Sequence, residues 1–361
     1  MSHMTQAKLA RRLGVSRQAV GCALGNYPPC SIKLSPQTRR RILETARRMR
    51  YVPNHAARRM ARIRPDRRST SFDQVGLVYL PLPGEPSAYV DTVCLAMMQG
   101  AEHELSKLHA SLTFVRVSEP DDWEKVERLT RAGSLDGWLL YGAVNDEVLN
   151  RLTLPFVIVG DHRCAQPVHC VTVDCAATGR LAAEHLAKLG HRRIGYIGGS
   201  MRFVYQEQML AGYRAGVREF RLDEDERLVV GVNYRTDPTL NGLKVWLRNL
   251  KQQPTALFST EPGVSDRLLR ALRELEIEVP RDLSLLACEV ADSGAINSDL
   301  TRIEWPITEL GRQGALLLHR CVVERPPARR EIKLSPTLIE GHSTCAPSNG
   351  TGQMTKPFPT K

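Results

Sequence analysis

The 361-residue chain has no apolar run near the roughly 18 residues that a membrane span needs. Its opening residues, MSHMTQAKLARR, do not form the apolar segment of a signal peptide, so insertion and export are not expected. The nine cysteines, at 22, 30, 94, 164, 170, 175, 288, 321 and 345, include no C-x-x-C pair. Neither a zinc site nor a disulfide framework is suggested, and a reducing cytoplasm is the simplest setting. No Walker A motif is present, the Gly198-Gly199 turn lacks the G-x-G-x-x-G pattern, and the histidines show no paired metal spacing. No cofactor or metal is expected. Acidic residues are nearly missing from residues 1–68, which hold 17 Lys and Arg against only Glu44 and Asp66, a balance of +15. The remainder balances at −4, giving the net +11. A basic head on a mildly acidic body fits a nucleic-acid-binding module joined to something else.

What is present at the start is TQAKLARRLGVSRQAVGCAL, residues 5–24. Thr5 is a possible N-cap, and Ala7, Leu9, Ala10 and Leu13 recur at helical spacing. Gly14 suits the left-handed backbone of a tight interhelical turn, and Ser16 then caps a second helix. On that helix Val20, Ala23 and Leu24 are expected to face inward with Val15. Arg17, Gln18, Gly21 and Cys22 are expected to face outward. The pattern is that of a helix-turn-helix. A turn-rich loop follows, and Ser35-Pro36 opens a third helix that runs to about Arg50. The segment from Tyr51 to Ala61 has a proline entry and about two helical turns, too short to persist unaided. Residues 62–73 are polar and basic and read as a linker.

From residue 74 apolar strands alternate with amphipathic helices, the mark of mostly parallel sheets covered on both faces. Two βα halves imply a cleft between them. The expected fold is therefore an all-α helix-turn-helix head with a hinge helix, followed by an α/β two-lobed body of two parallel sheets flanked by helices. The head spans 4–51, the hinge and linker 52–73, and the body 74–345. Within the body, lobe 1 is expected at about 74–161 and 292–324, and lobe 2 at about 162–291 and 325–345. The Ser/Gly/Pro/Thr-rich tail, 346–361, is expected to be disordered. Asp174 is assigned to capping the following helix, and His185 and His191 to structural roles.

Six ordered motifs identify a resemblance: LARRLGVSRQAVGCAL, RYVPNHAARRMA, VDCAATGRLAAEHLAKLGHRRIGYIGG, LAGY at 210–213, VPRDLSLL at 279–286 and SPTLIEGHST. Over residues 4–345 the chain resembles the LacI/GalR family of bacterial transcription regulators. The resemblance implies a periplasmic-binding-protein-like body, a homodimer or dimer of dimers, operator DNA as partner and a sugar-like small-molecule effector. Arg17 and Gln18 match base-reading positions, and their side chains suit bidentate bonding to guanine and adenine respectively. A phosphate contact alone is the competing role for Arg17. Cys22 stands where an arginine is common. Thr5, Ser16 and Thr38 match phosphate contacts at helix N-termini. Met60 matches the minor-groove wedge of the hinge helix, with Asn54, Ala57 and Arg58 as its groove-facing neighbours.

For the effector, the resemblance places an arginine just before the Leu-Ala-Gly segment and an aspartate after a late strand. This chain has Met209 and Glu289 there. Arg202 could supply a cation from the same loop. Tyr89, Tyr234 and Trp305 are candidate aromatic walls, with Asp161, Tyr205 and Glu261 as polar contributors. For each of these, packing competes evenly with ligand contact. Three possibilities stay open: a neutral effector, one oriented by Arg202, or a cleft not used for small molecules. A solute-binding protein and an enzyme on the same two-lobed fold are the rival functions; the first needs an export signal and has no use for residues 5–60, and the second is disfavoured by the absent nucleotide and metal motifs.

Overall fold

In the computed structural model the described residues are 6–24, 34–49, 72–81, 92–199, 201, 203–232, 237, 239–291, 299–324 and 328–347. The main boundary between two compact units falls between Phe72 and Asp73. The hinge segment and the tail beyond 347 lie outside the described residues.

In the head, α1 (Gln6–Leu13), α2 (Arg17–Ala23) and α3 (Pro36–Arg48) enclose Leu9, Ala10, Val20, Ala23, Ile42 and Ala46. Ala10 is small enough for α2 to pass close to α1. Gly14, at φ 66°, makes the turn at the end of α1. The Arg41 guanidinium donates to the Leu13 carbonyl at 2.9 Å, tying α3 to the end of α1.

The body contains two six-stranded sheets. The first has the order β13-β7-β5-β3-β1-β2, built from β1 (Gln74–Leu80), β2 (Ser111–Arg116), β3 (Gly137–Gly142), β5 (Phe156–Val159), β7 (Cys170–Val173) and β13 (Glu331–Leu334). All its pairings are parallel. The second has the order β14-β12-β11-β10-β8-β9, from β8 (Ile194–Gly198), β9 (Val229–Gly231), β10 (Ala256–Ser259), β11 (Ser284–Val290), β12 (Arg302–Trp305) and β14 (Thr337–Ile339). Only β14 is antiparallel. A two-stranded pair, β4 (Val144–Asn145) with β6 (His162–Arg163), lies outside both.

These memberships redraw the expected lobe boundaries. Strands β7 and β13 belong to the first lobe and β12 to the second, the reverse of the division by sequence blocks. The reason is that the chain crosses between sheets three times, just after β7, after β12 and between β13 and β14. A split at the end of one βα half assumes a single crossing.

Each lobe is covered by a pair of closely crossing helices. In the first they are α4 (Thr92–Lys107) and α11 (Ile307–Val323), and in the second α7 (Cys175–Lys188) and α8 (Val204–Glu219). The approach of α7 to α8 depends on glycine. A Cβ at Gly179 would lie 2.0 Å from the Met209 carbonyl oxygen, and one at Gly212 would lie 2.0 Å from that of Ala176. Asp174 caps α7 by accepting from the Ala177 amide at 2.9 Å. On the other face of the second sheet, Leu243, Leu247, Leu268 and Leu272 from α9 (Asn241–Asn249) and α10 (Ser265–Glu274) pack on Ile197, Leu257 and Leu285.

The segment around Cys345 is pinned to the second lobe through His191. Its ring bonds Thr255 Oγ1 at 2.8 Å and the Cys345 carbonyl at 2.9 Å, and it is 1% exposed. Burial pushes its pKa down from 6.5 to about 4. The unfolded chain therefore takes up this proton first as pH falls, so the neutral ring's contribution is complete above about 6.5 and is lost toward 4. We expect on the order of 3 kcal/mol of body stability to be lost across that window through this residue. Urea melts of the wild type and His191→Gln at pH 7 and 4.5 check this, with a shallower pH dependence expected for the variant.

Candidate functional site

The head presents its polar residues around the start of α2. Ser16 caps that helix, its Oγ accepting from the Ala19 amide at 3.0 Å. Arg17 and Gln18 follow on the first turn and are exposed, while the Gln6 amide group donates to the Arg17 carbonyl at 2.9 Å. Ser35 caps α3 through the Thr38 amide at 3.1 Å, and the Ser35 and Thr38 hydroxyls are 2.8 Å apart. Hydroxyls and unfilled amides at helix N-termini, beside cationic side chains, suit phosphate oxygens.

Cys22 does not fit the outward role expected for it. Gly21 and Cys22 are both buried, Cys22 at 8% exposure, and Cys22 is disulfide-bonded. A buried, oxidised sulfur has no thiol to offer a base edge. The disulfide also departs from the expectation that no cysteines pair. The other described cysteines, Cys94, Cys164, Cys170, Cys175, Cys288, Cys321 and Cys345, are free thiols. Thr5, Asn54, Ala57, Arg58 and Met60 lie outside the described residues.

In the body, the carboxyl ends of the parallel strands are where an open α/β sheet forms binding crevices. Asp161 follows β5 there, after Gly160 at φ 105°. Its Oδ2 accepts from the Tyr205 amide of α8 at 2.5 Å, joining the two lobes. Loss of hydration is the largest influence on this carboxyl and raises its pKa to about 6, against the opposing amide bond and the Arg163 charge. Two residues on, Arg163 reaches Glu207 of α8 at 2.7 Å, a half-exposed pair of little energetic weight alone.

Tyr205 organises the second-lobe side. Its hydroxyl donates to Glu261 Oε1 at 3.0 Å, and the Gln206 amide group donates to the same oxygen at 3.0 Å. Thr260 in turn donates to Gln206 Oε1 at 3.0 Å. Burial drives the Tyr205 phenol's pKa well upward, keeping it protonated and able to donate. Gly199 makes this arrangement possible, because a Cβ there would fall 1.7 Å from Glu261 Oε1. The Tyr205 ring meets Trp305 edge-on at 5.7 Å and Phe203 at 5.2 Å. Trp305 is 4% exposed and donates its indole N–H to Thr178 at 3.2 Å.

Asp161, Tyr205, Glu261 and Trp305 are thus brought together. Glu289 belongs elsewhere in the same lobe. It accepts from the Gly263 amide at 2.9 Å and from the Ser265 hydroxyl, anchoring the loop into α10. Burial raises its pKa, opposed by those two donors. Met209, in the position of the family's arginine, is fully buried. Tyr89, Arg202 and Tyr234 lie outside the described residues. Sequence reasoning missed Arg163, Gln206, Glu207 and Thr260. No local pattern marked them, because each acquires its role through a partner distant in sequence. Among the described residues no group of three His, Cys, Asp or Glu could hold a metal, and no helix is long and apolar enough to cross a membrane.

Two mostly parallel sheets joined by three crossings of the chain, with polar groups from both lobes meeting at strand ends, define a two-lobed fold of the periplasmic-binding-protein type. The model of the periplasmic binding proteins and sugar binding domain of LacI family matches residues 74–258, and that of a periplasmic binding protein-like domain matches 183–344. The chain belongs to the LacI family. The HTH-type transcriptional regulator AglR of Rhizobium meliloti (strain 1021) is 29% identical over 291 residues, 78% of this chain and 76% of that one. The NTD biosynthesis operon regulator NtdR of Bacillus subtilis (strain 168) is 23% identical over 351 residues, 93% and 98% of the two chains. Among solved structures, the lac repressor dimer bound to operator and the anti-inducer ONPF aligns with a TM-score of 0.73 at 19% identity, covering 96% of this chain and 100% of that one. The CelR–cellobiose complex aligns at 0.65 and 22%, covering 94% and 100%.

The Glu289 geometry yields a prediction. Glu289→Ala leaves the buried Ser265 hydroxyl and the Gly263 amide without their acceptor and should cost about 1–3 kcal/mol, read as a lower urea midpoint, with Glu289→Gln losing less. Unchanged stability with a lost ligand response would return this residue to the cleft.

Proposed function

We propose that the chain is a sequence-specific, DNA-binding transcription repressor whose hold on its operator is controlled by a small molecule in the cleft. The observation that carries this reading is the exposed Arg17-Gln18 pair on the first turn of a Ser16-capped helix, in the same chain as a two-lobed binding body. Arg17 and Gln18 read base edges, while Ser16 and Thr38 hold phosphates. The helix reaches only a few base pairs, so specificity comes from two heads on a near-palindromic site, and the working form is a homodimer or a dimer of dimers. The hinge residues Asn54, Ala57, Arg58 and Met60 enter the minor groove between the half-sites.

The effector is sugar-like. The hydroxyl- and carboxylate-bearing walls formed by Asp161, Tyr205 and Glu261 beside the Trp305 ring support this, as does the cellobiose in the CelR complex. Tyr89, Arg202 and Tyr234 are the further effector contacts in this reading. Effector binding changes lobe closure and thereby permits or forbids the paired hinge helices, the bistable element. The site binds and does not catalyse, and the protein works in the cytoplasm, on the nucleoid when DNA-bound.

Arg17→Ala should weaken binding to the preferred site by roughly 1–3 kcal/mol and affect random DNA less. Gel-shift titrations on both DNAs check this, and equal losses would remove Arg17 from base reading. Turnover of a small-molecule substrate without selective DNA binding would favour an enzyme instead.

A further inference from the structure

The helix α8 begins without a side-chain cap of its own. The first amides of any helix have no acceptor within it and rely on a capping side chain. Here the N-cap residue is Phe203, which makes no side-chain cap bond. The acceptor for the Tyr205 amide comes instead from the other lobe, the Asp161 carboxylate at 2.5 Å. Two residues further into the same first turn, Arg163 pairs with Glu207. The end of β5 and the strand β6 therefore grip the first turn of a helix across the cleft.

We propose that Asp161 is a proton-dependent clasp: it caps α8 only when the lobes are closed, and closure takes up a proton at its carboxyl. This rests on the reading of the cleft as the effector site and adds a regulation to it. Among the described residues, these groups surround the carboxyl. On its own segment are His162 and Arg163, the latter engaged with Glu207. From α8 come the Tyr205 phenol and Glu207, and from α7 the Cys175 thiol beside Asp174. Glu261 lies behind Tyr205, bonded to its hydroxyl. Burial disfavours the ionised form, and the Tyr205 amide and the Arg163 charge only partly offset it. Opening the lobes returns the carboxyl to water and uncaps the helix.

The direction follows from linkage. The carboxyl titrates near 6 when buried and near its ordinary 3.8 when hydrated. The closed form therefore gains on the open form as pH falls below about 6, and this gain disappears as pH rises through that value. Between pH 7.5 and 5 the closed-to-open ratio should rise about tenfold.

Hydrogen exchange at the Tyr205 amide reads the clasp directly, because that amide has no acceptor inside its helix. The measurement uses the full chain without DNA or effector, corrected for the intrinsic pH dependence of exchange. The wild type should gain about tenfold in protection from pH 7.5 to 5. Asp161→Asn, uncharged but still an acceptor, should show no such gain. A pH-independent wild-type amide overturns the proposal even if the variant fails to fold, and so does a folded Asn variant that keeps the gain. Because no DNA enters the experiment, its failure leaves the operator-binding reading untouched, which the Arg17→Ala titration addresses separately.

Discussion

Everything in the body depends on the three crossings of the chain between its two sheets. After β7, after β12 and between β13 and β14 the backbone passes from one lobe to the other, so the lobes share a seam and cannot separate. What remains free to vary is the opening on the side of the strand ends. That geometry turns a pair of side-chain contacts, Asp161 with the Tyr205 amide and Arg163 with Glu207, into a measure of closure. It also makes Trp305 a natural boundary residue, since it ends β12 at a crossing and meets both Thr178 and the Tyr205 ring. A ligand that favours one degree of opening needs only differential contact with these groups to shift the population.

The second lobe concentrates polar groups where close packing leaves little room for error. Reciprocal glycines let α8 lie against α7, and Gly199 leaves space for the Glu261 carboxylate. Thr260, Gln206, Glu261 and Tyr205 then form a continuous chain of donors and acceptors. Glu289, which the resemblance places at the ligand, serves to anchor the loop before α10. The family's arginine is replaced by a buried methionine. The cleft of this chain is thus organised around Tyr205 and its neighbours.

Much of this was legible in the sequence. Period-3.6 and period-2 patterns located the helices and strands, Gly14 and Ser16 marked the turn and cap in the head, and Asp174 announced its own capping role. Four of the expected cleft residues do come together. The lobe boundaries were misplaced because β7, β12 and β13 read as ordinary strands, and nothing local says which sheet a parallel strand will join. Cys22 was misjudged because helical periodicity leaves a position at the edge of the apolar face undecided. Gln206, Thr260 and Arg163 were missed because ordinary polar residues acquire roles only through partners distant in sequence.

The central claim is that one chain joins a base-reading head to a ligand-binding body. Selection of fragments from the source genome by the purified full-length protein tests it most directly. The account predicts enrichment of a near-palindromic site with two half-sites at fixed spacing, released or tightened by a sugar-like compound. Recovery of fragments without a shared sequence would contradict it.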